Sequence, residues 1–284
     1  MARMIRHLTL ALAMPLITAV TLSADEPEPP SDDVLDVRTP LTITVEPLAM
    51  YITPGGRFIL PGRVRGGRDI DVEHVNIDSP RLSPGLRLDL TYGDWIASAS
   101  GFSYTTDRDT LSPVDRSIGD LDLTTGQPIN TKFTFSTAEA WIGYTVLDGS
   151  AARREGEEDV LHAGVSLFAG ARAYWMDIEL TNPQGTASAD PVFVEPIAGI
   201  VLSASALDRY DARVRASVGY MSTGSDTSAS FQIESDLAAR IAEGVSLVAG
   251  YRMLIVDLEQ GDVIDKFEYR GSMAGLHIGL RFRF

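Results

Sequence analysis

The last seventeen or so residues of the chain restrict its fold more than any other segment. Leu276, Ile278, Leu280, Phe282 and Phe284 fall on one face of an extended strand. His277, Gly279, Arg281 and Arg283 fall on the other. Side chains alternate strictly across a strand, so this pattern is a β pattern with an apolar face and a charged face. It recurs upstream. In 210–220, Ala212, Val214, Ala216, Val218 and Tyr220 oppose Asp211, Arg213 and Arg215. In 231–241, Phe231, Ile233, Leu237, Ala239 and Ile241 oppose Gln232, Glu234, Asp236 and Arg240. In 82–92 a leucine face opposes Arg87 and Asp89. A soluble sandwich would bury the apolar faces against a second sheet. Charges on the other face of several neighbouring strands suit a barrel whose apolar side meets lipid and whose charges pair in the lumen.

The spacing predicts ten strands, over about 41–52, 82–92, 94–105, 129–147, 160–180, 191–207, 210–221, 229–242, 245–259 and 266–284. Eight remain if 41–92 is not all in the barrel. The expected fold is therefore an all-β, up-and-down antiparallel transmembrane barrel over 41–284. Tight turns are expected around Gly93, Asp208 and Gly244, with longer links at 53–81, 105–128, 181–191, 222–229 and 260–265. A bulge near Ser136 is expected, because Phe133 and Phe135 are out of phase with Ala138, Ala140, Ile142 and Tyr144. The expected aromatic girdle comprises Trp95, Trp141, Tyr144, Tyr174, Trp175, Tyr210, Tyr220 and Tyr251.

Residues 1–24 carry Arg3 and Arg6, then an apolar run from Leu8 to Leu22, then the small residues Ser23 and Ala24. That is the layout of a cleaved secretory signal peptide, and the run is short for a membrane-spanning helix. Residues 25–40 are acidic and Pro-rich and are expected to form a flexible leader. The chain has no cysteine, which excludes disulfides, thiolate metal sites and a cysteine nucleophile. Its formal charge of −15 argues against nucleic acid as a partner.

One repeat is present. Gly164–Glu179 and Gly244–Glu259 share nine of sixteen residues, and Ala198-Gly199-Ile200 and Ala274-Gly275-Leu276 echo one another downstream. The repeat is read as a duplicated hairpin. It places Arg172 and Arg252 in equivalent positions, as it does the pairs Asp177/Glu179 and Asp257/Glu259.

The signal peptide, the alternating strands and the ending Leu280-Arg281-Phe282-Arg283-Phe284 together resemble Gram-negative outer-membrane β-barrel proteins. Within that class the chain resembles the small members with a β-barrel domain and no further assigned role. The resemblance implies residence in the outer membrane, contact with its lipid and lipopolysaccharide, and recognition of Phe282 and Phe284 by the barrel-assembly machinery. The expected lumen network is Arg172, Glu195, Arg213, Arg215, Glu234, Asp236, Arg252, Arg281 and Arg283. Its first reading is charge pairing that fills a narrow barrel; its second is a selective pore. No cofactor, metal site or catalytic group is expected. His74 beside Asp71 and Glu73 reads as part of an acidic loop, and His162 and His277 lie toward the end that holds the chain termini. The expected role is non-catalytic, either structural or in displaying surface loops. The alternatives are a narrow pore, then a hydrolase acting on lipid or peptide. Oligomeric state is left open.

Overall fold

The structure, a computed structural model, describes residues 41–62, 69–152, 159–207, 209–262 and 265–284. The expected signal peptide and leader, and Asp208 of an expected tight turn, lie outside the described residues. Ten long strands form the wall. These are β1 (Thr42–Ile59), β2 (Arg81–Tyr92), β3 (Trp95–Leu111), β4 (Pro128–Ala152) and β5 (Asp159–Asn182). They continue as β6 (Val192–Ala206), β7 (Tyr210–Thr223), β8 (Asp226–Ala242), β9 (Val245–Gln260) and β10 (Phe267–Arg283). Each pairs antiparallel with its chain neighbour, and β1 closes the ring against β10 from Thr44↔Arg283 to Ile59↔Glu268. Closure leaves the wall without a free sheet edge along most of its height, as a strand structure in lipid requires.

The barrel has a turn end and a loop end. At the turn end, Tyr92 pairs with Trp95 across Gly93-Asp94, and Glu243-Gly244 links β8 to β9. Gly244 has φ +67°, a left-handed conformation that a side chain disfavours. The loop end carries the longer links. Two of them hold short elements of their own: a 3₁₀ turn at Val72–Val75, and a hairpin of Arg116–Ile118 with Leu121–Leu123. A further short strand, Gly185–Ala189, adds to the end of β5. The expected long link at 222–229 is instead a two-residue turn, because Thr223 pairs directly with Asp226. Its Ser, Thr, Gly and Asp residues read as loop but lie on strand ends.

The interior changes character with height. In the turn half, charged side chains point inward and leucines point outward. In the loop half the order inverts. Phe133, Phe135, Tyr104, Tyr174 and Tyr269 are buried inside, in one cluster with Val72, Val75 and Ile77 of the 3₁₀ region and Ile118, Leu121 and Leu123 of the hairpin. Outside, at that height, Lys132 pairs with Glu179 at 2.9 Å and Arg270 with Asp257 at 3.1 Å. Lys266, ahead of β10, donates to Glu268 and Glu259 at 2.9 Å each, and these bonds hold its pKa above the ordinary lysine value. The loop half is thus built like a water-soluble barrel and the turn half like one in lipid.

This inversion corrects the expected bulge near Ser136. The β4 ladder is continuous there, and Phe133 and Phe135 simply point inward with Glu139. The register shifts in β4 occur lower, between Thr145 and Leu147 and between Ala151 and Ala152. The girdle is corrected too. Trp95, Tyr144, Trp175, Tyr210, Tyr220 and Tyr251 are exposed on the outer face, whereas Trp141 and Tyr174 are buried inside. Tyr51 and Tyr92 join the outer set. The Trp141 and Phe168 rings lie 4.6 Å apart, tilted by 34°, in a small inner cluster with Ile197 and Val201.

The repeat holds for one strand and not for the next. Arg172 on β5 and Arg252 on β9 both point inward. Ala198, however, pairs with Ala169, while Ala274 pairs with Met253 rather than with Ala249, the counterpart of Ala169. The two hairpins have different registers, so the downstream echo is not a structural duplication.

Candidate functional site in the lumen

Alternation fixes which charges enter the lumen, and strand register fixes which of them meet. Six arginines (Arg87, Arg172, Arg213, Arg215, Arg252 and Arg281) face six carboxylates (Glu46, Asp89, Glu139, Glu195, Glu234 and Asp236). All are buried except the half-buried Arg213. The six positive and six negative formal charges of the set balance.

Arg87 is the hub. It donates to Glu46 at 2.6 Å on the adjacent strand, to Asp236 at 2.8 Å and to Glu234 on the far wall. Arg213 holds Asp236 at 2.8 Å and Asp89 at 3.0 Å. Arg215 bridges Glu234 at 2.6 Å and also Glu139. Arg172 grips Glu139 with two donors, at 3.1 and 2.8 Å, and donates to Ser230 and Ser217 at 2.9 Å each. Arg252 approaches Glu139 at 3.6 Å, donates to Gln232 at 3.0 Å and lies over the Phe102 ring. Arg281 pairs with Glu46 and, at 3.2 Å, with Asp211. Charges taken out of water are tolerated when they are paired, and each of these faces an opposite charge; only Asp89 Oδ1 and Arg252 Nε within the set lack a hydrogen-bond partner among the described residues.

The structure therefore brings together Arg172, Arg213, Arg215, Glu234, Asp236, Arg252 and Arg281. Arg283 stands apart, half exposed, with Asp211 at 3.7 Å. It lines a vestibule of about 290 Å³ at the turn end, with Asp89, Asp211, Arg213 and His162. Glu195 sits higher. It accepts from Tyr174 and Ser228 at 2.6 Å each and from Ser230, with Arg172 at 3.7 Å. To reach β8 it crosses β7 at Gly219, where an added Cβ would lie 2.4 Å from its carboxylate.

Sequence reading passed over Glu46, Arg87, Asp89 and Glu139 as site members. Arg87 and Asp89 stood on the polar face of their strand, so alternation alone could have placed them. Glu46 was masked by Pro47, which blurs the two faces of β1. His277 faces Asp236 at 2.7 Å. With Glu234 and Asp236 it forms the one group among the described residues whose ligand atoms could converge on a cation. Both of those carboxylates are already bound by Arg87, so the set is committed to arginine. His74 is in the 3₁₀ turn at the loop end, 3.7 Å from Asp71. Phe284 exchanges backbone hydrogen bonds with Ile43 at 2.9 and 3.2 Å, which places the last residue in the closing ladder, and its ring is exposed.

A closed, even-stranded antiparallel barrel with an apolar outer belt, outward aromatics and a charged lumen is a membrane-spanning β-barrel of the outer-membrane kind. No protein-family model and no curated protein matches the chain. Among solved structures it is similar to the outer membrane protease OmpT of Escherichia coli, at 9% identity over 86% of this chain and 97% of that one, with a TM-score of 0.44. It is also similar to Neisserial surface protein A, at 12% identity over 86% and 97%, TM-score 0.32. The attachment invasion locus protein Ail of Yersinia pestis gives 11% over 86% and 97%, TM-score 0.30. Likeness at this level lends none of their roles to this chain. The class rests on the ladder, the belt and the lumen.

Proposed function

We propose that the protein is a non-conducting, non-catalytic barrel of the Gram-negative outer membrane that displays a rigid, carboxylate-rich loop-end surface. One observation carries this reading: the interior is filled at both heights. Paired charges occupy the turn half, and an apolar core, capped by the 3₁₀ turn and the hairpin, occupies the loop half. A pore needs a wet path through both layers. The imidazole inside the wall, His277, is enclosed by carboxylates that arginines already hold, which keeps it from a substrate. The loop-end rim bears Asp107, Asp109, Asp177, Glu179, Asp257 and Glu259, a surface suited to water and to cations bridging lipopolysaccharide phosphates. Phe282 and Phe284 serve as the assembly signal in this reading.

Planar-bilayer recording of the purified protein tests it. No unitary conductance is the expected result, alongside recovery in the outer-membrane fraction and a heat-modifiable shift on gels. Regular conductance steps would replace this reading with the narrow pore.

A further inference from the structure

The outer face of the wall is not evenly filled. Across β2 to β6, two neighbouring rows of the ladder carry small side chains. One row runs Leu86↔Gly101↔Ala138↔Ala173↔Val194. The next runs Leu88↔Ala99↔Ala140↔Ala171↔Pro196. The result is a groove of about 740 Å³ on the lipid side, with leucines at its β2 end and Val194 at its β6 end. Five strands spaced by about 4.8 Å give it a length of about 19 Å. Trp175 stands on the row above, and Leu90 and Ile142 on the row below.

A second, independent feature meets the groove at β6. The β5–β6 ladder begins at Val192, but the β6–β7 ladder begins only at Ile197↔Gly219. The backbone of Val192–Pro196 therefore has no ladder partner on β7. Val192 and Val194 are half exposed to the lipid side, beside the girdle residue Trp175 with which Val192 pairs. Free backbone donors and acceptors at that depth need hydrogen-bonding partners.

We propose that the groove and the free β6 edge form one binding site for a saccharolipid of the lipid A type. An acyl chain lies along the small-residue rows, and headgroup amides and hydroxyls bond the Val192–Pro196 backbone. The chemistry selects this occupant. The free edge offers a row of N–H and C=O groups, and the several amides and hydroxyls of a saccharolipid complement both kinds along its length, whereas phosphatidylethanolamine brings one compact ammonium donor beside an acceptor-only phosphodiester. The apolar floor suits a hydrocarbon chain, whose contacts multiply in a concave surface. A second copy docked with its two-fold axis through the groove fits poorly, because one groove would face the other and leave a void. The site rests on the outer-membrane orientation proposed above, which places the β6 end of the groove in the outer leaflet.

The test uses full-length protein refolded in detergent, with its heat-modifiable shift recorded first so that loss of the barrel is seen separately. Native mass spectrometry then follows titration with purified lipid A, and separately with phosphatidylethanolamine. Wild type is expected to retain one lipid A. The variant Ala138→Leu/Ala171→Leu, which fills the floor from the lipid side, is expected to retain it about tenfold less. Ala249→Leu, on the outer face of β9, is expected to match wild type. Equal retention of phosphatidylethanolamine, retention unchanged by the floor variant, no retained lipid, or dimers in place of the lipid complex would each overturn the proposal while leaving the barrel reading intact.

Discussion

Arg172 and Arg252 occupy equivalent positions in two copies of one sequence repeat, and in the barrel both guanidiniums converge on Glu139. They come from β5 and β9, so the meeting takes place across the lumen. Arg215 from β7 reaches the same carboxylate. One glutamate thus gathers three strands of the wall that share no ladder with one another.

Glu139→Gln is expected to cost about 3–5 kcal/mol, because it leaves buried guanidinium charge without its counterion. Arg283→Ala, at the exposed vestibule, is expected to change stability by no more than about 0.5 kcal/mol. Urea unfolding in lipid vesicles, followed by tryptophan fluorescence, separates the two outcomes.

Arg87→Met strands Glu46, Glu234 and Asp236 together and is expected to cost at least as much as Glu139→Gln. Adding Glu234→Gln removes part of that unpaired negative charge. The double variant is therefore expected to be less destabilised than the sum of the singles, by about 1–3 kcal/mol in a mutant cycle. Strict additivity would mean that Arg87 does not act through this carboxylate.

Glu195 clasps β8 over Gly219, at the height where β6 and β7 cease to pair. Glu195→Ala is expected to loosen the β7–β8 tip and speed proteolytic nicking near Gly224. Gly219→Ala places a methyl against the same carboxylate and is expected to do likewise. Combined, the two changes are expected to be no worse than either alone. Nicking at wild-type rates in both single variants would exclude the clasp.

Phe135→Ala opens a cavity in the loop-half core and is expected to cost about 3–5 kcal/mol. It is not expected to create conductance, because the paired charges below still fill the lumen. Recording the variant in a planar bilayer checks this directly.

Phe284→Ala separates folding from delivery. The Phe284 side chain is exposed and its backbone bonds survive the change, so detergent refolding is expected to be normal. The amount reaching the outer membrane of cells is expected to fall several-fold if the ring is read during assembly. Unchanged cellular yield would remove Phe284 from the assembly signal.

Alternation revealed the strands best where one face meets lipid and the other a charge. Ile278 and Arg281 on β10, or Val214 and Arg215 on β7, leave no doubt about which way each points. The loop half was illegible for the same physical reason. There the phase of alternation continues but the polarity swaps, so Phe133 and Phe135 read as a break in the strand rather than as core. Register was hidden as well. Nothing local in the sequence says that Arg87 meets Glu234 across the lumen, because that contact depends on how the ring closes between β1 and β10. The groove shows the same limit. Its alanines and glycines are unremarkable one strand at a time, and only the ladder lines them up.

The swap in polarity between Trp175 and Asp177 on β5, and between Ile255 and Asp257 on β9, draws a waterline around the molecule. Sinking would drown carboxylates in hydrocarbon, and rising would strand leucines in water. The depth at which this protein floats is therefore written into its own wall, and the bilayer must adjust its thickness to that mark.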